Sequence, residues 1–174
     1  MKAAKTSRLF YALWPDAATR TALATLCAQL PGNRMSPDNL HLTLAFLGQQ
    51  PQTLLPVLKK ISAALPPLDA PLHIDYLGFF KRRRIVWAGL HNPPAELFAL
   101  QETLAQQLRQ HHITFDDSPA FKPHITLARD SALPHETAIT PIHWVAGRIV
   151  LVESISRPEG VQYRVLGLKG GWLC

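Results

Sequence analysis

Two tetrads in this sequence carry side chains able to move protons and hold an anion: His41-Leu42-Thr43-Leu44 and His124-Ile125-Thr126-Leu127. Imidazole ordinarily titrates near neutrality, so it can accept or release a proton at physiological pH. Two imidazoles on opposite sides of one phosphorus can divide the work of an in-line displacement. One takes a proton from the nucleophile and the other gives one to the leaving group. A threonine hydroxyl beside each ring can donate to a non-bridging phosphate oxygen. Such donors, fixed in advance, lower both the entropic and the electrostatic part of the barrier. The residue types therefore point to metal-free hydrolysis of a phosphodiester. On these grounds alone either imidazole could serve as the acid.

The elements that must position these groups are strands. On a strand, residues i and i+2 share a face, so His41 and Thr43 lie together with Leu42 and Leu44 behind them. The same holds for His124 and Thr126 against Ile125 and Leu127. His124 follows His41 by 83 residues, close to half of the 174-residue chain. This predicts a duplicated half-site whose two copies face each other. Two imidazoles could instead bind zinc, but neither tetrad holds an Asp, Glu or Cys to complete a ligand set, and threonine is not a usual ligand. No metal and no cofactor are expected. The six other histidines, His73, His91, His111, His112, His135 and His143, recur in no such context and are read as surface or structural residues.

The hydrophobic pattern supplies the rest. Residues 8–13 read as a first strand, ended by Pro15, with Asp16 as a helix N-cap. Leu23, Leu26, Cys27 and Leu30 form a helical stripe that Pro31-Gly32 stops. A polar loop leads into a strand over 39–47, ended by Gly48. A helix follows over 53–65, then strands over 72–77 and 84–90 joined by the cationic run Lys81-Arg82-Arg83-Arg84. Leu97, Leu100, Leu104 and Leu108 mark a helix from about Ala95 to His111. Residues 121–129 form the second tetrad strand, 134–141 a loop, and 142–152 and 162–168 the last strands. Neither a dinucleotide-binding glycine fingerprint nor a phosphate-binding loop occurs. The predicted class is α+β: one domain over 1–174, built from two pseudo-symmetric lobes with mainly antiparallel sheets facing a central cleft and helices outside.

Composition agrees. Apolar residues make up 47% and charged residues 17%, enough for a core. A net charge of +6 suits an anionic partner such as RNA or a phosphate ester. No apolar run is long enough to span a bilayer, and no long apolar stretch follows the basic residues 1–8. A cytoplasmic protein with no membrane attachment is expected. Cys27 and Cys174 read as a buried thiol and a chain terminus, not a disulfide. No heptad repeat suggests self-association, so a monomer is expected.

Four stretches, 8–13, 39–48, 84–90 and 122–129, and more weakly Glu153-Ser154 with Gly160 and Tyr163, give the chain a clear likeness. It resembles the 2H phosphoesterase superfamily, and within it the bacterial RNA 2′,3′-cyclic phosphodiesterases, also called 2′-5′ RNA ligases. The resemblance implies a bilobal fold without metal, with His41 as general acid and His124 as general base. The implied substrates are RNA with 2′,3′-cyclic phosphate ends or cyclic nucleotides, and the product a 2′-phosphomonoester. Reversal with a 5′-hydroxyl in place of water would give 2′-5′ ligation.

Thr43 and Thr126 would bind the phosphate. The family pattern also favours Arg129 in substrate binding, although simple alternation puts it on the face opposite His124, so a bulge or strand end is required. Lys122 shares the face of His124, so it could lie at the cleft rim or equally be a solvated charge. Phe10 or Trp14 could stack on a base, with core packing the competing role. The cationic run could draw in an RNA backbone or be a solvated hairpin turn. A non-catalytic RNA-binding module is the alternative function; it needs no titrating pair.

Overall fold

The first strand, β1 (Thr6–Leu13), is flanked by other strands on both sides and buries both faces from Leu9 onward. The Tyr11 hydroxyl, wholly buried, donates to the Leu58 carbonyl at 2.7 Å. The computed structural model describes residues 5–117 and 120–167. Asp16 caps α1 (Ala17–Ala28) as predicted, its carboxylate accepting the Thr19 amide at 2.8 Å, and Leu23 and Cys27 face the core. Gly32 then turns the chain at φ +85°. A Cβ there would lie 2.6 Å from the Arg129 carbonyl, so only glycine lets the chain pass so close. That turn delivers a two-residue strand, β2 (Asn33–Arg34), which the polar composition of the loop concealed.

A single turn at Pro37–Asn39 precedes β3 (Leu42–Pro51). The strand starts later than predicted and runs through Gly48, whose φ of +65° is absorbed within it and does not end it. After α2 (Leu55–Ala64) come β4 (Leu68–Phe80) and β5 (Ile85–Gly89), a hairpin whose turn carries the cationic run. Next are α3 (Ala95–Gln110), with its predicted leucines buried, and β6 (His124–Arg129). The expected strand over 142–152 is in fact two, β7 (Ala138–Gly147) and β8 (Ile149–Arg157), because Gly147 at φ +69° breaks the run. β7 also begins inside the stretch read as loop. β9 is Gly160–Leu166; Leu168 of the predicted last strand and Cys174 lie outside the described residues.

All pairings are antiparallel, in the order β7-β4-β5-β6-β3-β1-β8-β9, with β2 against β6. The prediction of two sheets needs amendment here. One pair, Leu42 with Ile125, joins β3 to β6 and makes hydrogen bonding continuous. Along that path four strands lie on each side of the seam, with β2 added at β6, and the tetrad strand is the innermost of each four. α1 packs on β6 and β7, α2 on β8, and α3 on both β3 and β4. The apolar partners in the tetrads, Leu42, Leu44, Ile125 and Leu127, are buried in the main core. A smaller cluster of Phe10, Ala12, Val150 and Val152, with Trp14 and Tyr163 packed on it, covers the other face of the β1–β8 half. No helix among the described residues is long and apolar enough to cross a membrane.

Trp87 of β5 is buried beneath the second tetrad. Its ring lies over Gly78 of β4, where an added Cβ would meet ring carbons at 2.1 Å. Gly78→Ala is therefore expected to cost about 1–3 kcal/mol through overpacking, read as a lower urea midpoint with an altered tryptophan emission. Wild-type stability would show that the ring has room to move.

Candidate active site

The seam sets the geometry. With Leu42 opposite Ile125 in antiparallel sense, the neighbouring residues fall as His41 across from Thr126 and Thr43 across from His124. All four belong to the face away from the main core. The predicted duplication is thus brought together in space, with the two histidines on a diagonal.

Each ring is held by the same local device. His41 Nδ1 meets the Asn39 carbonyl at 2.6 Å, and His124 Nδ1 meets the Lys122 carbonyl at 2.7 Å. A carbonyl only accepts, so Nδ1 carries the hydrogen and the neutral ring presents Nε2 as its lone pair. The two Nε2 atoms differ. That of His41 accepts from the Thr43 hydroxyl at 2.9 Å. Among the described residues, His124 Nε2 has no such partner, and no hydrogen bond joins it to Thr126. Asn39 also fixes the surroundings of His41. Its amide donates to the Val161 carbonyl at 2.7 Å and its side-chain oxygen accepts from the Tyr163 amide at 3.3 Å, so β9 is pinned beside the ring.

Aromatic rings enclose His41. Trp14 stacks on it at 5.5 Å and 9°, Phe10 lies 4.8 Å away and Tyr163 meets it edge-on at 5.1 Å. Phe10 is buried, so of its two possible roles it takes packing, here against the imidazole. His124 makes T-shaped contacts with Phe80 and Trp87, at 5.1 and 5.8 Å between ring centres. Lys122 places its Nζ over Trp87 at 4.6 Å and over Phe80 at 5.7 Å, an exposed cation lying on two rings of the site.

Arg129 is where alternation alone would not have put it. β5 and β6 slip register between Val86 and Trp87: Val86 pairs with Ala128 but Trp87 with Thr126, leaving Leu127 as an extra residue. β1 and β3 slip likewise, Tyr11 pairing with Ala45 and Ala12 with Thr43, leaving Leu44. The fourth tetrad residue is thus a bulge in both halves, and a bulge reverses alternation beyond it. Arg129 is thereby turned outward, and its charge acts on both imidazoles and on Tyr163. Position for position, the partner of Arg129 in the first half is Phe46, which is 50% exposed with its ring 6.0 Å from Phe10. The sequence reading missed Phe46. The signal was present in the extended repeats His-Leu-Thr-Leu-Ala-Phe and His-Ile-Thr-Leu-Ala-Arg.

Burial pushes the His41 pKa down from 6.5 to about 4, and the charges of His124 and Arg129 push the same way against the Asn39 carbonyl. Burial also lowers His124, against the Lys122 carbonyl and helped by the charges of Lys122, Arg129 and Arg83. Both rings are therefore neutral at pH 7 in the free protein. Among the described residues, no three His, Cys, Asp or Glu side chains come together in a way that could hold a metal ion.

The model of the 2′-5′ RNA ligase superfamily matches residues 13–156, and the chain belongs to that family. It is 34% identical over 129 residues to the RNA 2′,3′-cyclic phosphodiesterase of Escherichia coli strain K12, covering 72% of this chain and 73% of that protein. With the RNA 2′,3′-cyclic phosphodiesterase of Thermus thermophilus it shares 30% identity over 174 residues, covering 91% of this chain and 87% of the relative. The crystal structure of apo E. coli LigT superimposes with a TM-score of 0.81 at 29% identity, covering 94% and 96% of the two chains.

The lowered pKa values carry a sign. Between pH 6.5 and about 4 an unfolded chain binds protons that the native His41 refuses. The stability associated with this ring is thus complete above 6.5 and falls as pH drops through that window. An anion in the site favours the protonated form and must bring a proton with it. Imidazole resonances are expected to show His41 neutral down to about pH 4, then titrating higher when the protein is saturated with inorganic phosphate. Phosphate affinity should weaken by about tenfold per pH unit for each proton taken up. A free His41 titrating at 6.5 would overturn this account of the site.

Proposed function

We propose that the chain is a metal-independent RNA 2′,3′-cyclic phosphodiesterase that opens the cyclic phosphate to a 2′-phosphomonoester. The observation that carries the reading is the pair of imidazoles on one sheet face, each with its Nδ1 held by the carbonyl two residues before it. Water lies between His124 Nε2 and the phosphorus. Its proton passes to His124 as its oxygen bonds to phosphorus. The bond from phosphorus to the 3′ oxygen breaks, and that oxygen takes the proton from His41 Nε2. The assignment of base to His124 is supported by its unpartnered Nε2.

His41 must first gain the proton it donates. A bound phosphodiester supplies negative charge beside both ring and guanidinium, offsetting the effect of Arg129 and raising His41. Once protonated at Nε2, His41 aims that proton at the 3′ oxygen, and the Thr43 hydroxyl, released from the ring, turns its hydrogen to a non-bridging oxygen. Thr126 supplies the matching donor from the other strand, and Arg129 binds the phosphate charge. The nucleoside bonded to the leaving oxygen lies on the His41 side, where Phe46 offers an exposed ring for its base. We further propose that the enzyme acts as a single-domain monomer in the cytoplasm.

Incubation with a nucleoside 2′,3′-cyclic phosphate in excess chelator should release the 2′-monophosphate. His41→Ala and His124→Ala should each lower kcat by about 10²- to 10⁴-fold. The pH profile should be bell-shaped, because one ring works neutral and the other protonated. Hydrolysis that survives both substitutions rules the mechanism out. Salt-sensitive RNA binding with no turnover would leave the non-catalytic module.

A further inference from the structure

The two halves surround their imidazoles with different chemistry. On the His41 side the neighbours are Phe10, Trp14, Tyr163 and the exposed Phe46. On the His124 side two rings, Phe80 and Trp87, are joined by a cluster of cations. Phe80, whose ring meets His124 at 5.1 Å, is the last residue of β4, and the exposed Lys81, Arg82, Arg83 and Arg84 follow it directly. Lys122 lies over the same two rings. Among the described residues none of these five cations forms an ion pair. The turn is defined as well as charged. Arg84 closes it at φ 52°, and its carbonyl accepts the Ser131 amide at 2.9 Å.

In-line displacement gives these two sides different occupants. In a ribose 2′,3′-cyclic phosphate the departing oxygen is bonded to the same ribose as the oxygen that stays. The donor nucleoside therefore lies on the leaving-group side, and the attacking side is open to whatever brings the nucleophile. With His124 as base, the attacking side is the cationic one. Water needs no such surface, whereas a polynucleotide nucleophile does. A run of unpaired cations suits a phosphate backbone irrespective of its sequence.

We propose that the turn at residues 81–84, together with Lys122, holds an oligoribonucleotide acceptor whose 5′-hydroxyl replaces water. The inference rests on the proposed catalytic reading, with His124 as the base. The 5′-hydroxyl gives its proton to His124 Nε2 and its oxygen bonds to phosphorus. The bond to the 3′ oxygen breaks, and that oxygen takes the proton of His41. The product is a 2′-5′ phosphodiester beside a free 3′-hydroxyl, with one proton taken up by the protein and one released.

The test uses the full chain with a nucleoside 2′,3′-cyclic phosphate as donor and a ten-nucleotide RNA carrying a 5′-hydroxyl as acceptor. Ligation and hydrolysis of the same donor are read in one reaction. In the Lys81→Ala/Arg82→Ala variant, the KM for the acceptor should rise by at least about tenfold at low salt. The log–log dependence of that KM on salt should become shallower by about 1.4, the loss of two single-strand phosphate contacts. A single nucleoside as acceptor should show neither change. The proposal is overturned if acceptor KM and salt slope are those of the wild type. It is also overturned if the variant instead raises the KM of an oligonucleotide donor, which would put the donor strand on this turn. Absence of donor hydrolysis by the wild type would bring down the catalytic reading and this inference together. Hydrolysis with an indifferent acceptor brings down this inference alone.

Discussion

The site depends on one backbone pair. Leu42 and Ile125 are the only paired residues between β3 and β6, and their antiparallel register decides that Thr43 stands across from His124 and Thr126 across from His41. A shift of one residue would turn the polar pair of one strand into the core and bring its leucines to the phosphate side. So short a pairing is weak by itself, since one hydrogen bond contributes only about 0.5–1.5 kcal/mol net. The register is held from behind. α3 packs on β3 in one half and β4 in the other, and the Gln101 amide reaches the Leu44 carbonyl at 3.4 Å. α1, which follows a strand of the first half, packs on β6 and β7 of the second. The chain between them lays β2 on β6 and donates the Met35 amide to the Leu127 carbonyl at 2.8 Å. Burial of four tetrad side chains in one core makes the alternative registers costly.

Desolvation is the main cost this arrangement bears. Rings packed on His41 keep it oriented but disfavour its charged form, which is the form its proposed role as acid needs. The Asn39 carbonyl opposes this only in part. The same burial makes the imidazolium a stronger acid once a substrate anion has forced it to form. A site with Arg129 and two depressed imidazoles is thus matched to a negatively charged ligand. In the proposed mechanism the charge enters with the substrate, and protonation of the acid follows.

Much of this was legible in the sequence because it rests on periodicity. The tetrads, the α1 cap at Asp16, the leucine stripe of α3 and the cationic hairpin turn all follow from spacing and residue type. The obscured features depend on backbone geometry that side-chain patterns do not encode. β2 is polar and two residues long. Gly147 splits a continuous β-type run into two strands. Most consequentially, the bulges at Leu44 and Leu127 look like ordinary alternation, since leucine suits either side of the slip. Arg129 could be identified as requiring a bulge, but the bulge itself is a property of the pairing strand. Phe46 lacked even that hint, because its counterpart is recognisable only when the repeat is carried two residues past the tetrad.

That extended repeat explains how a duplicated site can run a directional reaction. Strand, bulge, carbonyl clamp and imidazole occur in both halves, so under the proposed mechanism proton transfer has the same machinery on each side of the phosphorus. Direction must come from what the halves do not share. One half adds Trp14, Tyr163, Phe46 and the Thr43–His41 bond; the other adds Phe80, Trp87, Arg129, Lys122 and the cationic turn. Aromatic surface favours a nucleoside and cationic surface a phosphate chain, and a cyclic phosphate binding by its own nucleoside can satisfy only one orientation. Under the proposed mechanism, exchange of the two imidazoles' roles would bring the nucleoside to Lys122 and the cationic turn and the incoming nucleophile to Trp14, Tyr163 and Phe46. In the proposed mechanism the asymmetry that assigns acid and base therefore lies in the surroundings of the histidines and in the Thr43–His41 bond, since the carbonyl clamps at Nδ1 are alike.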